Sequence, residues 1–137
     1  RKNRDSDETV VTQPADWSFN GDWKDFVIGR GDNSIFKNSV TPGNECTLTF
    51  TGKAILLEGY CHNNGGMAKV YLDGKYIKTI DFYYREEAGI YLGNRAHLYH
   101  ELNLTPGKHT LRLVTVGDKN PKSTGHNVWV ERAMIYK

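Results

Sequence analysis

Ala68-Lys69-Val70-Tyr71-Leu72-Asp73-Gly74-Lys75-Tyr76-Ile77-Lys78-Thr79-Ile80-Asp81-Phe82 is the stretch whose reading decides the fold. Ala68, Val70 and Leu72 alternate with Lys69, Tyr71 and Asp73. A period of two marks a strand with one buried face. Asp73-Gly74 predicts a two-residue hairpin turn, because both residues tolerate the positive φ that such a turn demands. Tyr76 to Phe82 is the returning strand. Its apolar phase slips between Ile77 and Ile80, so a bulge is expected there.

The same period extends in both directions. Upstream, Thr47-Leu48-Thr49-Phe50-Thr51 alternates, and Ala54 to Tyr60 forms a second apolar run after the break at Gly52. Trp17 to Ile28 predicts one or two short strands around Asn20-Gly21. Downstream, Leu98 to Leu104 reads as a strand, Thr105-Pro106-Gly107-Lys108 as a tight turn, and Leu111 and Leu113 as the inner face of the next strand. The last strand holds Val128 and Val130, then slips phase to Ala133 and Ile135. No amphipathic helix, internal repeat or low-complexity segment interrupts the pattern. Many short strands joined by Gly and Pro turns give an all-β sandwich or barrel.

Composition narrows the function classes. A chain of 137 residues is the size of one domain with a core of its own. No apolar run approaches the roughly 20 residues of a membrane-spanning helix. The net charge of +2, with Lys and Arg scattered among acids, argues against a nucleic-acid partner. Arg1 to Glu8 are all charged or polar. Residues 1–10 are therefore expected to be a linker at the edge of the domain, and 11–137 the domain itself. Cys46 is in phase with Leu48 and Phe50, and Cys61 with Ile55 and Leu57. They read as two buried thiols or as a disulfide.

Connection lengths locate the functional end. Each strand of a sandwich crosses the height of the domain, so successive connections alternate between its two ends. The short connections at Gly52, Asp73-Gly74 and Pro106-Gly107 fall at one end. The long ones at Cys61 to Gly66, Tyr83 to His97 and Asp118 to Asn127 fall at the other. Binding residues sit on long loops held by a rigid scaffold. These loops carry aromatics, amides, carboxylates and Arg. Aromatic faces stack on the C–H side of a sugar ring, and amides and Arg make paired hydrogen bonds to neighbouring hydroxyls.

The ordered motifs carry a family resemblance. They are Trp17-Ser18-Phe19-Asn20-Gly21-Asp22-Trp23, Phe50-Thr51-Gly52-Lys53-Ala54-Ile55, Ala68 to Lys75, Thr79-Ile80-Asp81-Phe82-Tyr83, Leu104 to Leu111 and Gly117-Asp118-Lys119-Asn120-Pro121. Over about Trp17 to Tyr136 the chain resembles the galactose-binding-like jelly-roll β-sandwich domains attached to secreted bacterial glycoside hydrolases. The resemblance implies a non-catalytic carbohydrate-binding module. It also implies an extracellular, cell-surface or periplasmic setting and a linked catalytic domain in the same chain. No cofactor is required, although a structural calcium ion often stiffens this fold. By family position Asp22, Asp25, Asp32 and Glu131 are its candidate ligands.

The expected ligand-binding residues are His62, Asn63, Asn64, Tyr84, Arg85, Tyr91, Arg95, Asn120 and Trp129. Tyr84 and Tyr91 are the expected stacking platforms, with Asn63, Asn64, Arg85, Arg95 and Asn120 supplying hydrogen bonds. Trp129 lies out of phase with Val128 and Val130, as a platform on the sheet face or as packing. Arg85 and Arg95 grip a uronate or pair with Glu86 or Glu87. His97 and His100, three apart in a strand, are expected on opposite faces, and no zinc spacing is present. Arg30-Gly31-Asp32 reads as a turn. The partner is an oligo- or polysaccharide and the domain is expected to be monomeric. The alternative is an accessory domain that packs on a catalytic domain and binds no sugar. An enzyme is disfavoured, since Glu86 and Glu87 are adjacent rather than opposed across a cleft and no Gly-x-Ser-x-Gly is present.

Overall fold

The computed structural model describes residues 9–27, 35–84 and 95–137. Arg85 and Tyr91, like Glu86, Glu87 and Arg30-Gly31-Asp32, lie outside the described residues. The strands are β1 (Thr9–Val11), β2 (Trp17–Asn20), β3 (Lys24–Phe26), β4 (Phe36–Ser39), β5 (Glu45–Gly52), β6 (Ala54–Tyr60), β7 (Met67–Leu72), β8 (Lys75–Asp81), β9 (Ala96–Glu101), β10 (Gly107–Val116) and β11 (Val128–Tyr136). They form two antiparallel sheets. One runs β3-β4-β11-β6-β9, with β1 also paired to β11; the other runs β2-β5-β10-β7-β8. β1 begins at Thr9, two residues inside the stretch expected to be linker, and Val10 pairs with Ile135.

The alternation seen in the sequence becomes the core. Leu48, Val70, Leu111 and Leu113 from the second sheet meet Ile55, Leu57 and Ala133 from the first, all buried. The hairpin forms at Asp73-Gly74, with φ of 53° and 81°. Val70 pairs with Lys78 and Tyr71 with Tyr76, which leaves Ile77 as the bulge residue. In β11 the register jumps between Val130 and Arg132, so Glu131 is the extra residue that returns Ala133 and Ile135 to the core. Both slips lie where the apolar phase broke.

A third bulge corrects an expectation. Tyr99 pairs with Leu57 and His97 with Glu58, so Leu98 is one residue too many in β9. Leu98 and Tyr99 are consequently both buried, at 6% and 4% exposed. His97 and His100 are therefore on the same outer face, with Nε2 of His97 2.8 Å from Nδ1 of His100. A regular strand would have separated them.

Hydrogen bonds between loops define the two ends. At the short-loop end, Leu104 N donates to Lys53 O at 3.0 Å and Asp73 N to Thr110 O at 2.8 Å. At the long-loop end, His62 N donates to Phe82 O at 3.1 Å, Gly66 N to Asn127 O at 2.7 Å and Thr124 N to Asn63 O at 3.1 Å. The alternation of ends is the one that counting strands implies. Cys46, in β5, and Cys61, just after β6, are free thiols. Burial pushes the Cys46 thiol far up and the Cys61 thiol up to about 12, so neither is a ready nucleophile.

Candidate functional site

The long-loop end is built around a backbone that only glycine permits. A Cβ on Gly65 would lie 2.0 Å from the carbonyl oxygen of Phe82, and one on Gly66 would lie 2.7 Å from that of His126. With no side chains there, the 62–66 loop packs flat between β8 and the approach to β11. Ser123 is buried behind it and donates to the carbonyl of Gly65 at 2.7 Å. Asn127 fixes the other side. Its Nδ2 donates to Asn64 O at 3.1 Å, and its Oδ1 accepts from Asn38 Nδ2 at 3.1 Å.

This frame shapes a cleft of about 240 Å³ lined by Phe26, Tyr60, His62, Asn63, Asn64, Asn127 and Trp129. The aromatic wall follows from strand register. Trp129 pairs directly with Tyr60 on one side and Asn38 on the other. Directly opposed residues share a face, and Gly59 and Val130, the next pair, are in step with the core residues Leu57 and Ile55. Tyr60 and Trp129 are therefore on the outer face of the first sheet. Their rings meet edge to face at 5.1 Å, and Phe26 closes on both at 5.8 and 6.0 Å. His62 stacks on Tyr60 at 5.8 Å and 28°. Such contacts contribute about 0.5–1.5 kcal/mol per pair beyond simple burial, so the wall is held before any ligand arrives.

Trp129 is 2% exposed and forms the floor of the cleft rather than a free-standing platform. Its indole N–H is buried and finds no acceptor among the described residues. The Nδ1 of His62 lies 2.8 Å from both the backbone N–H and the side-chain Oδ1 of Asn63, so this ring nitrogen is engaged within the loop. The side-chain amide of Asn64 makes no hydrogen bond among the described residues, while its carbonyl holds Asn127.

Four of the expected residues, His62, Asn63, Asn64 and Trp129, thus line one cleft. The others that are described do not. Tyr84 is 41% exposed, with its backbone tied to His62 O at 2.8 Å, but its ring is not part of the lining. Asn120 is spent on structure: Nδ2 donates to Asp81 at 3.1 Å, and Oδ1 accepts from Lys122 N at 2.9 Å. Arg95 pairs with Glu131 at 2.9 Å in a separate cleft with Thr12, Gln13 and Arg132. Phe26, Tyr60 and Asn127 complete the cleft without having been expected in it. Tyr60 carried a usable signal, since like Trp129 it is an aromatic out of phase with the core residues of its strand. Phe26 carried none.

Of the four candidate calcium ligands, the three that are described are each engaged by other side chains of this chain. Asp22 is held by Asn44 and Thr41, which keep its carboxyl below the usual range. Asp25 pairs with Lys37 at 2.7 Å and Glu131 with Arg95, while Asp32 lies outside the described residues. Among the described residues no three His, Cys, Asp or Glu side chains gather where they would hold an ion.

No family model matches the sequence, and no curated protein matches it. Solved structures do match. A family 35 carbohydrate-binding module from Clostridium thermocellum superposes with a TM-score of 0.62 at 15% identity, covering 92% of this chain and 95% of that one. The fold is that of a carbohydrate-binding-module β-sandwich. The CBM36-1 domain of a multidomain xylanase from the hindgut metagenome of Trinervitermes trinervoides matches this module fold as completely. Its TM-score is 0.59 at 15% identity, with 94% and 97% coverage. The module fold also occurs inside larger proteins. A two-domain esterase active on acetylated mannans matches with a TM-score of 0.67 at 11% identity over 95% of this chain and 36% of its own. This chain spans about a third of the family two carbohydrate esterase from Cellvibrio japonicus, covering 32% of it.

Proposed function

We propose that this chain is a non-catalytic carbohydrate-binding module, and that its ligand is a short stretch of oligo- or polysaccharide seated in the Phe26–Tyr60–Trp129 cleft. The observation that carries this reading is the joining of an aromatic wall to an amide and imidazole rim in one preformed cleft. Sugar rings present an apolar C–H face and a polar hydroxyl edge, so a site needs both surfaces at right angles. The aromatic edges meet the ring. Asn64 meets the hydroxyls, with Asn63 and the His62 imidazole beside it on the rim. The buried indole N–H of Trp129 is a donor whose lack of an acceptor costs about 1–3 kcal/mol. A hydroxyl or a bridging water that reaches it recovers that cost only in the complex. The cleft is smaller than the roughly 300 Å³ at which sites for drug-sized ligands begin, which suits one or two sugar rings. Affinity is expected in the micromolar to millimolar range, since little apolar surface leaves water.

Two of the fold's neighbours at near-complete mutual coverage are themselves carbohydrate-binding modules. In this reading the domain is monomeric, exported, and linked to a polysaccharide-degrading enzyme whose local concentration on its substrate it raises. The test is a glycan-array and affinity-gel screen of the purified chain, with calcium present and removed. The His62→Ala/Asn64→Ala variant is run beside it, after its melting temperature has been matched to wild type. Binding of a defined glycan that weakens about tenfold or more in the variant supports the reading. Binding that the variant leaves unchanged moves the site elsewhere. No binding across plant and host polysaccharides would leave a packing domain as the better account.

A further inference from the structure

The bulge at Leu98 has built a second constellation, on the edge strand of the same sheet and outside the cleft lining. His97 and His100 project from β9 on one face, both exposed, with their rings 4.9 Å apart. Nε2 of His97 and Nδ1 of His100 stand 2.8 Å apart. Neither ring has any other hydrogen-bond partner among the described residues. Glu58 is directly across from His97, but its carboxylate is engaged by Arg132 at 2.7 Å.

The geometry points to a two-imidazole chelate for a divalent transition metal that takes nitrogen ligands, such as copper(II) or nickel(II). At a metal–nitrogen distance of about 2.0 Å, two ligands at a right angle stand about 2.8 Å apart, and two at the tetrahedral angle about 3.3 Å. The hydrogen-bonded pair is already at this spacing, so small ring rotations aim both lone pairs at one ion. In the metal-free pair one proton is shared between the two facing nitrogens. Metal binding moves that proton to the outer nitrogen of its own ring, so both lone pairs become available with no net loss of a proton. Because both rings are exposed, they can turn to meet the ion without disturbing the core. The remaining coordination positions are open to water or to a donor from another molecule.

The experiment is titration of the purified chain with copper(II) in a non-coordinating buffer, read by electron paramagnetic resonance and by fluorescence. Nickel(II) and zinc(II) are titrated in parallel. One copper(II) ion per chain with two imidazole nitrogens is expected. His97→Ala and His100→Ala should each lower the affinity at least tenfold, and His126→Gln should not change it. All variants should melt as wild type does, since the two rings are on the surface. Copper affinity equal in wild type and His97→Ala, or a signal from one nitrogen only, would each overturn the proposal. None of these outcomes depends on whether the cleft binds sugar.

Discussion

At the short-loop end, Asp73 takes the Nδ1 proton of His109 at 2.7 Å and the backbone N–H of Thr110 at 2.9 Å. The other ring nitrogen of His109 lies 2.6 Å from Thr105 O. Both ring nitrogens face acceptors, so the ring fills both bonds only as imidazolium. At the long-loop end, Nδ1 of His62 stays within the loop against Asn63, and the Asn64 side-chain amide makes no bond among the described residues. One end closes its Asp–His pair on its own backbone. The other fixes its backbone with Gly65, Ser123 and Asn127, and leaves the Asn64 side-chain amide on the rim of the cleft. The difference teaches that rigidity and vacancy are compatible: backbone bonds hold the loops, so side chains need not.

Two glycines probe this contrast most sharply. Gly65→Ala places a methyl group against the Phe82 carbonyl. It is expected to cost on the order of 2–4 kcal/mol and to abolish glycan binding, read by denaturant melts and gel retardation. Gly74→Ala in the hairpin meets nothing within 4 Å. Its cost is the positive φ alone, about 1 kcal/mol, with affinity unchanged. Equal losses at the two positions would dissolve the distinction between the ends.

Removing the charge at the closed end comes next. Asp73→Asn keeps a residue that tolerates φ of 53° and deletes the partner of His109. A loss of about 1 kcal/mol is expected, small because Asp73 is half exposed, with no change in glycan affinity.

The pH dependence of stability tests the same pair. Hydrogen bonding to Asp73 and to the Thr105 carbonyl raises the pKa of His109 above 6.5. Its contribution is therefore complete below pH 6.5 and lost as pH rises through the raised value. His109 in turn holds the Asp73 carboxyl below 3.8, so that contribution is present above pH 3.8 and lost as pH falls through the lowered value. The pair stabilises most between about pH 4 and 6.5. Unfolding free energy should fall from pH 6 to pH 8 in wild type and stay flatter in His109→Gln. Parallel profiles would remove His109 from the account.

The smallest effect is expected at Tyr84. Its ring is outside the cleft lining, so Tyr84→Ala should shift affinity by no more than about twofold. A large loss would extend the site toward the 85–94 segment.

Alternation and turn residues in the sequence determined the two-sheet architecture, the Asp73-Gly74 hairpin, the slips at Ile77 and Glu131, and the grouping of long loops at one end. These features depend on local backbone preference and on the period of burial, and both are written along the chain. His62, Asn63, Asn64 and Trp129 were legible because they sit on those loops or break the period of their strand. Only the tertiary structure decided that Tyr60 and Phe26 close over Trp129, that Asn120 and Arg95 are engaged elsewhere, and that His97 and His100 share a face. Cross-strand neighbours are set by register, and register shifts by a residue wherever a bulge falls. At Leu98 a buried residue follows a buried residue only because β6 pairs across the bulge, and no spacing within β9 alone encodes that pairing.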